Sequence, residues 1–382
     1  GEPVTGPVCA LMCKATPGAP YRLPLKVTPM QINESKLEAF MGRLLQEMGA
    51  AMNVGLVNIG DQLGLYKAMT CAGWLTAAEL AEKTATDLRY IREWLSAQVA
   101  GQFVDYDPSA GKFRLPDEHA MALAVEDSPC NVAGAYNVIA STIKDQELIA
   151  GAFRTGRGVG WHEHHHSLFA GTDRFFRAGY RAHLIQEWLP ALDGVAEKLN
   201  RGAMVADVGC GLGSSTLLMA EAYPQSRFFG FDYHDGSIEA ARRKAAAVGI
   251  NGDRLTFEVA SAKAFPGNGY ALITVFDSLH DMGDPVGAAR HIRQALSPDG
   301  MFMIVEPFAH DKLEDNINPV GRMYYSASTM VCTPGSRAQE VGLALGAQAG
   351  EEKIRDVVMQ AGFTRFRRAT QTPFNLVFEA RP

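Results

Sequence analysis

The sequence is poor in cysteine, lacks long apolar runs and carries no excess of positive charge. Its 382 residues include six cysteines, and the formal net charge is −6. No apolar run approaches the ~20 residues that a membrane-spanning helix needs. An acidic balance gives no general attraction to nucleic acid or to anionic lipid surfaces. We therefore expect no membrane association and no nucleic-acid partner.

The cysteines do not form a pattern that is typical of a disulfide scaffold or a zinc site. They are Cys9, Cys13, Cys71, Cys130, Cys210 and Cys332. The single close pair, Cys9 and Cys13, has no second pair to complete a metal site. The N-terminus also lacks the basic and then apolar layout of a secretory signal. Scattered, unpaired cysteines are usual in a reducing compartment, so the sequence predicts a cytoplasmic protein.

Changes in composition and periodicity divide the chain into four segments. Residues 1–33 contain six prolines and predict an irregular arm, of which part could precede a natural start at Met30. Residues 34–130 predict a small helical domain, residues 131–200 a helical connector, and residues 201–382 an α/β domain.

The segment 34–130 has the outline of a winged helix. A helical pattern runs from Glu34 to about Leu65, and Thr76 with Glu79 forms a capping box for the next helix. A further helix stops near Gly101, and a hairpin pattern follows it. The region that would read DNA, residues 77–100, carries three basic and four acidic side chains, whereas a DNA-binding module normally has a basic face. We therefore predict a role in homodimerisation for this domain.

From Ala203 onward, short apolar runs alternate with amphipathic helical patterns. The runs are Met204–Val208, Phe228–Phe231, Leu255–Val259, Ala271–Phe276, Met301–Val305 and Phe374–Glu379. Alternation of this kind predicts a doubly wound, Rossmann-like α/β domain with a mostly parallel sheet.

A glycine-rich loop follows the first of these strands. Residues 207–213 read D-V-G-C-G-L-G, and Asp232 closes the second strand. A dinucleotide fingerprint would need glycine at position 214, which is serine here. Asp207 would repel a pyrophosphate but suits a ligand with an ammonium and a sulfonium group, and Asp232 can accept from two ribose hydroxyls. The loop therefore favours S-adenosylmethionine over a dinucleotide or a glycine turn without a ligand.

Residues 34–382 resemble class I methyltransferases. The likeness rests on the glycine loop, Asp232, the segment L-H-D at 279–281, and L-S-P-D-G at 296–300. The N-terminal half resembles the winged-helix dimerisation region of small-molecule O-methyltransferases. A bacterial winged-helix and methyltransferase group, some of whose members are labelled transcriptional regulators, is also similar. That likeness covers residues 277–285, 305–309 and 318–322.

The resemblance implies a cofactor site around the glycine loop. The predicted contacts to S-adenosylmethionine, or to its product S-adenosylhomocysteine, are Asp207, Gly209, Cys210, Gly211, Gly213, Asp232, Tyr233, Ser261, Ala262, Phe276 and Asp277. Where the family often has an acid for the adenine amine, this chain has Ala260, Ser261 and Ala262. Ser261 or a backbone group would then take that role.

The acceptor chemistry is predicted to lie after the strand Ala271–Phe276, since ligands bind beyond the carboxyl ends of parallel strands. In O-methyltransferases that resemble this chain, the histidine of L-H-D is the general base, and the matching residue is His280. The alternative is that His280 is a wall of the pocket. Predicted acceptor-binding residues are Trp161, His164, Tyr180, Asp281, Arg322 and Tyr325.

Residues 161–166 read W-H-E-H-H-H. The four histidines, His162 and His164–His166, could form a metal cluster, a polar wall of the acceptor pocket or part of a solvated loop. We predict no metal, because no further ligands complete a set. The predicted function is methylation of an oxygen in a small, aromatic or hydroxyl-bearing metabolite. The alternative is a winged-helix regulator that binds S-adenosylmethionine as a ligand.

Overall fold

The computed structural model describes residues 31–250 and 252–382. The predicted arm therefore lies almost wholly outside the described residues, together with Cys9, Cys13 and Met30. The chain forms two compact units, of which the first ends at His119 and the second begins at Ala120. No helix of the described residues is long and apolar enough to cross a membrane. The predicted domain boundaries stay predictions.

From residue 31 onward, the described part of the first unit contains four helices followed by a two-stranded hairpin. Its elements are α1 (Glu34–Gln62), α2 (Leu65–Met69), α3 (Ala77–Thr84), α4 (Leu88–Ala100), β1 (Asp105–Asp107) and β2 (Lys112–Arg114). The capping box is present: the Glu79 amide donates to Thr76 Oγ1 over 3.2 Å, and the Thr76 amide donates to Glu79 Oε2 over 2.7 Å. The indole of Trp94 donates to the carbonyl of Leu56 at 2.9 Å, which joins α4 to α1.

Helix α1 leaves large apolar side chains exposed within its unit. They are Leu37, Phe40, Leu45, Met48, Met52 and Ile59. Exposed apolar side chains along one helix are typical of a surface that meets another protein.

The second unit begins with helices and continues as an α/β layer structure. Its helices are α5 (Asp117–Leu123, which spans the division), α6 (Ala133–Lys144), α7 (Gln146–Thr155), α8 (Ser167–His183), α9 (Val195–Arg201), α10 (Ser214–Ala222), α11 (Asp235–Ala247), α12 (Pro285–Ala295), α13 (Pro319–Ala327), α14 (Thr333–Arg337) and α15 (Gly350–Gln360). Short 3₁₀ turns cover Trp161–Glu163, Leu279–Asp281 and Glu314–Asn316, and π turns cover Leu184–Trp188 and Ser328–Cys332.

Seven strands form one sheet in the second unit. They are β3 (Met204–Val208), β4 (Arg227–Asp232), β5 (Leu255–Val259), β6 (Tyr270–Phe276), β7 (Leu296–Pro307), β8 (Arg365–Gln371) and β9 (Asn375–Arg381). The spatial order is β5-β4-β3-β6-β7-β9-β8, with β9 antiparallel to both of its neighbours and the other pairs parallel. The predicted doubly wound α/β fold is confirmed.

The two faces of the sheet are both buried. Along β3, Val205 packs in a cluster with Trp188 and Met219, whereas Ala206 and Val208 pack in a second cluster on α12 and α15. Alternate side chains of a strand point to opposite faces, so an apolar strand needs helices on each side. This packing fixes the carboxyl ends of β3, β4, β5 and β6 at one edge.

Candidate functional site

A cavity of about 460 Å³ lies at the carboxyl edge of the sheet. It is bordered by residues that follow β3, β4, β5 and β6, by α8, and by Gln339 and Glu340. The volume falls in the range of small-molecule sites. The position is the one expected for ligands of an open α/β sheet, where strand order reverses.

The glycine loop forms the floor of this cavity. The amides of Gly209 and Cys210 both donate to the carbonyl of Phe231, at 2.7 and 3.1 Å, which holds the loop against β4. Gly211 has φ +51°, and a Cβ there would meet no atom within 4 Å. Gly211 borders the cavity, so its missing side chain leaves space for a ligand to reach the backbone.

Gly213 has a different role. It also has a positive φ, +76°, but a Cβ there would lie 2.7 Å from the ring of Phe257 and 2.9 Å from Ala241. The residue therefore allows α10 to pack closely and does not border the cavity.

Asp207 lies beneath the loop. It is fully buried, and its carboxylate accepts from Ser215 Oγ at 2.7 Å, Thr216 Oγ1 at 2.6 Å and Thr274 Oγ1 at 3.1 Å. Burial raises the pKa of this carboxyl despite the three hydroxyl donors. Asp207 does not border the cavity, so the structure makes it a support for the first turn of α10.

Asp232 borders the cavity on the other side of the loop. Its Oδ2 accepts from the Gly211 amide and its Oδ1 from the His234 amide, each at 2.9 Å. A carboxylate oxygen has two lone pairs, so each oxygen can still accept one hydroxyl. Tyr233, Ser261 and Ala262 border the same end of the cavity.

Asp277 follows β6 and borders the cavity next to Phe276. Its Oδ2 accepts from the hydroxyl of Tyr180 and its Oδ1 from the amide nitrogen of Asn375, both at 2.9 Å. Its backbone φ is +48°, which is uncommon outside glycine and asparagine. Burial raises the pKa of Asp277 to about 8, and the Glu306 carboxylate adds to the shift.

Aromatic side chains form a further wall of the cavity, which adjoins Asp277 through Tyr180 and Phe276. The rings of Trp161 and Phe169 lie 5.6 Å apart, and Tyr180 lies 6.1 Å from Phe176 and 5.2 Å from Phe276. All five side chains border the cavity. Offset and tilted ring contacts of this kind accept flat apolar ligands.

His280 lies behind the cavity rather than on its surface. It is 2% exposed, its Nδ1 lies 2.5 Å from Glu306 Oε2, and its Nε2 lies 3.2 Å from Asp281 Oδ1. Burial alone would lower the pKa of His280, but the carboxylates of Glu306 and Asp281 outweigh it and hold this pKa well above its ordinary value. Asp281 borders the cavity and His280 does not. Any exchange of a proton between His280 and an acceptor would therefore pass through Asp281.

Cys332 completes a buried group with these residues. Among the described residues, one set of possible metal ligands is found, with the ligand atoms of His280, Asp281 and Cys332 within 4.8 Å of one another. Carboxylates already contact both imidazole nitrogens, so the geometry favours an ion-paired cluster over a metal centre.

Several predicted acceptor residues lie elsewhere. His164 is buried with its Nδ1 2.9 Å from Asp145 Oδ2, and Arg322 and Tyr325 lie at the surface on α13. None of the three borders the cavity, whereas Trp161, Tyr180 and Asp281 do. The structure therefore brings together half of the predicted acceptor set.

Several residues that border the cavity are not among those predicted from the sequence. Phe169 and Phe176 share one face of α8 with Tyr180, at spacings of seven and four residues that a helical projection could have shown. Ser278, Met282, Gln339 and Glu340 also border the cavity. Glu306 is also not among the predicted site residues, although it lies near the end of β7, the strand beside β6 and the L-H-D segment.

Helix α8 also contacts the residues that follow the glycine loop. Asp173 Oδ1 accepts from Ser214 Oγ at 2.6 Å, and its Oδ2 lies 2.8 Å from Lys244 Nζ. The same helix thus contacts the first residue of α10 and, through Tyr180, the end of β6.

The fold and its sequence match known methyltransferases. A demethylmenaquinone methyltransferase from Symbiobacterium thermophilum is 30% identical over 108 residues, which is 28% of this chain and 43% of that protein. The matched segment thus spans less than half of that relative. Human N-acetylserotonin methyltransferase, solved with S-adenosylmethionine, has a similar structure with a TM-score of 0.67 and 17% identity, covering 93% of this chain and 99% of that chain.

The O-methyltransferase NcsB1 of neocarzinostatin biosynthesis also shares the fold. It was solved with S-adenosylhomocysteine and 1,4-dihydroxy-2-naphthoic acid, with a TM-score of 0.60 and 19% identity over 89% of this chain and 98% of that chain. Residues 199–362 match the family described as a methyltransferase domain, and residues 50–125 match the Rv2258c-like winged helix-turn-helix domain. The chain therefore carries an Rv2258c-like winged helix-turn-helix domain followed by a methyltransferase domain, which confirms the family resemblance predicted from the sequence.

Proposed function

We propose that the protein transfers the methyl group of S-adenosylmethionine to a hydroxyl oxygen of a small aromatic acceptor. One observation carries the proposal: a single cavity joins the glycine loop and Asp232 to an aromatic wall and to Asp281. A cofactor half and an acceptor half are thus continuous, as a direct transfer requires.

The residues present fit S-adenosylmethionine. The space above Gly211 is open, and the two oxygens of Asp232 keep lone pairs for a ribose diol. The buried hydroxyl of Ser278 has no hydrogen-bond partner among the described residues. An unpaired buried hydroxyl costs free energy, which a polar ligand would recover. Bound there, the cofactor would supply a methyl group on a positively charged sulfur.

Of the predicted cofactor contacts, those that border the cavity are proposed to touch the ligand. They are Gly209, Cys210, Gly211, Asp232, Tyr233, Ser261, Ala262, Phe276 and Asp277. Asp207 and Gly213 act beneath the loop and hold its shape.

The acceptor is proposed to be a flat, hydroxyl-bearing ring. The wall of Trp161, Phe169, Phe176 and Tyr180 offers apolar faces, and Asp281 offers an acceptor for a hydroxyl proton. A dihydroxynaphthoic acid occupies NcsB1, and demethylmenaquinone names the curated relative, so both similar proteins are associated with naphthalene-type rings.

The proton of the acceptor is proposed to pass to the cluster of Asp281, His280 and Glu306. His280 carries a proton between two carboxylates, and Asp281 presents this cluster to the cavity. Asp281 would take the hydroxyl proton, and His280 would keep the proton that it already carries and remain paired with Glu306. The base role predicted for His280 thus becomes an indirect one.

Calorimetric titration tests the cofactor directly. S-Adenosylhomocysteine and S-adenosylmethionine should each bind with one site per chain, and NAD should not bind. Incubation with labelled S-adenosylmethionine and a panel of naphthols and catechols should then give a methylated product. Absence of heat with both ligands, or a preference for NAD, would refute the proposal.

The regulator alternative finds no support in the first unit. In α4, Arg89 is paired with Glu93, and Asp87 caps the helix through the amides of Arg89 and Tyr90. The exposed side of α4 thus carries both acidic and basic side chains and is not a basic surface for DNA. Gel shifts with genomic fragments at physiological salt should show no specific complex.

The protein is also proposed to be a cytoplasmic homodimer. The exposed apolar side chains of α1 support self-association, since an apolar face left in water along a 29-residue helix is costly. The four cysteines among the described residues, Cys71, Cys130, Cys210 and Cys332, are all free, which supports a reducing compartment.

A further inference from the structure

The carboxylates that border the cavity differ in how their charges are balanced. Asp173 faces Lys244 at 2.8 Å, and Lys263 lies 3.4 Å from Asp284 and 2.6 Å from Glu340. Asp281 faces His280. Within residues 31–250 and 252–382, neither Asp232 nor Asp277 has a lysine or arginine in ion-pair distance. Two carboxylates of the cavity therefore lack a lysine or arginine partner.

These two acids lie on opposite sides of the glycine loop. The order β4-β3-β6 places Asp232, at the end of β4, on one side of the loop and Asp277, just after β6, on the other. The loop and the β6 end are in close approach, because a Cβ on Gly209 would lie 2.6 Å from Ser278 Oγ. A ligand that holds its ribose on Asp232 and crosses the loop therefore directs its sulfur end towards Asp277.

Within the described part of the chain, Asp277 is held by hydrogen bonds and not by an ion pair, although the protonated His280 nearby partly offsets the rise in its pKa. Tyr180 and Asn375 each donate a neutral hydrogen bond. The other titratable groups that act on it are Glu306 on β7, His280 and Asp281 on the 3₁₀ turn, and Tyr324 on α13. Burial and Glu306 raise the pKa of Asp277 to about 8, so without a ligand the group is mostly protonated at pH 7. A cation in the cavity would favour its ionised form.

We propose, on the basis of the function proposed above, that Asp277 is the counter-ion of the sulfonium and gives the site its preference for the charged cofactor over the neutral product. The group would be ionised when S-adenosylmethionine is bound and protonated when S-adenosylhomocysteine is bound. Loss of the positive charge on methyl transfer would remove the attraction and assist release of the product.

Proton linkage in the wild-type protein tests this without any variant. Calorimetry at pH 7 in phosphate and in Tris, whose ionisation enthalpies differ, counts the protons exchanged on binding. S-Adenosylmethionine should release about one proton, since a group with a raised pKa must ionise, and S-adenosylhomocysteine should release none. Equal proton release with the two ligands would overturn the proposal.

A variant assigns the effect to Asp277. Asp277→Asn should weaken S-adenosylmethionine by about tenfold or more, the effect of removing one nearby opposite charge, and should abolish the proton release. The affinity of the variant for S-adenosylhomocysteine should change by less than about threefold, since a threefold change in affinity corresponds to about half a pKa unit. Glu340→Gln is the matched control, because it removes a cavity carboxylate that Lys263 already balances; it should change the two affinities by the same factor.

The outcomes separate this proposal from the proposed function. Failure of both ligands to bind wild type would refute the cofactor itself. Binding of both, with equal losses in Asp277→Asn and no ligand-specific proton release, would leave the cofactor standing and refute the role of Asp277. If the melting curve of Asp277→Asn shows that the variant does not fold, the number of protons that wild type releases with each ligand still tests the role of Asp277.

Discussion

Glu306 Oε2 lies 2.5 Å from His280 Nδ1, in a position where both side chains are almost fully buried. The other oxygen of Glu306 accepts from the amides of Leu279 and His280, at 3.1 and 3.4 Å. The carboxylate thus holds the imidazole in place, keeps it protonated, and fixes the 3₁₀ turn that carries Asp281. Breaking such a buried pair leaves one charge without its partner.

The first prediction concerns this pair. Glu306→Gln should lower stability at pH 6 by roughly 3–5 kcal/mol, the usual cost of removing one partner of a buried ion pair. Because the folded pKa of His280 is raised, the stabilisation is complete below the ordinary histidine pKa and is lost as pH rises through the folded value. The difference in melting temperature between wild type and variant should therefore shrink between pH 6 and pH 10.

A surface carboxylate provides the control for that series. Glu351 pairs with Arg355 and Arg368 on a partly exposed face, and its charge partners are arginines, which do not titrate in this pH range. Glu351→Gln should show no such narrowing across the same pH range. A Glu306→Gln difference that stays constant or widens with pH would contradict the assigned charge state of His280.

The second prediction concerns the ribose. Asp232→Ala should weaken S-adenosylhomocysteine by about 1–3 kcal/mol, since two hydroxyls would lose their acceptor. Titration calorimetry measures the loss. Asp235→Ala, at the start of α11 and outside the cavity lining, is the comparison. Equal affinities for Asp232→Ala and wild type would remove the residue from the cofactor site.

The third prediction separates two glycines of one loop. Gly211→Ala should add a methyl group towards the cavity and reduce cofactor affinity by about 1–3 kcal/mol, as overpacking does. Gly213→Ala should instead lower the melting temperature more, because its Cβ meets Phe257 and Ala241. Melting curves and titrations on both proteins give the comparison. The reverse order of effects would show that the loop lies differently around its ligand.

The fourth prediction concerns the proton path. His280→Ala should lower the transfer rate by roughly 10²–10⁴-fold while cofactor affinity changes little. Asp281→Asn should have a comparable effect on rate, since Asp281 is the member of the cluster that faces the cavity. Both losses should be smaller for acceptors that are already ionised at the assay pH. Near-normal turnover in both variants would leave proximity as the main source of catalysis.

The fifth prediction concerns α1. Wild type should be a dimer by light scattering, and the double variant Met48→Glu, Met52→Glu should be a monomer, because charges would replace an apolar contact. Leu313→Glu changes an equally exposed apolar residue of the second unit and should stay dimeric. A monomeric wild type would end the proposal.

The sequence could predict the strands that are buried on both faces. The predicted runs Met204–Val208 and Ala271–Phe276 lie in strands as expected, because mostly apolar, buried segments between helices leave little choice of structure. Strand β8 was missed, since Arg365–Gln371 lies at the sheet edge and is mostly polar. The predicted helical connector, residues 131–200, is divided into several helices, and a π turn at Leu184–Trp188 and the turn around Pro190 separate its last two.

The candidate site was predictable where strand ends determine it. Asp232, Asp277 and Asp281 each follow a strand of the parallel sheet, so their meeting at one edge follows from topology. The direction of a side chain on a helix or in an irregular segment does not follow in this way. His164 and Tyr325 were assigned to the acceptor by their neighbourhood in sequence, and tertiary packing turns both away from the cavity.

Helix α8 limits how this protein can be redesigned or can diverge. It carries Asp173, which holds Ser214 and Lys244, and Tyr180, which holds Asp277. Substitution of either residue would disturb the cofactor site together with the aromatic wall of the cavity. Phe169 and Phe176 face the cavity from the same helix through ring faces alone, so new acceptor preferences should arise there first, without loss of the shared methyl donor.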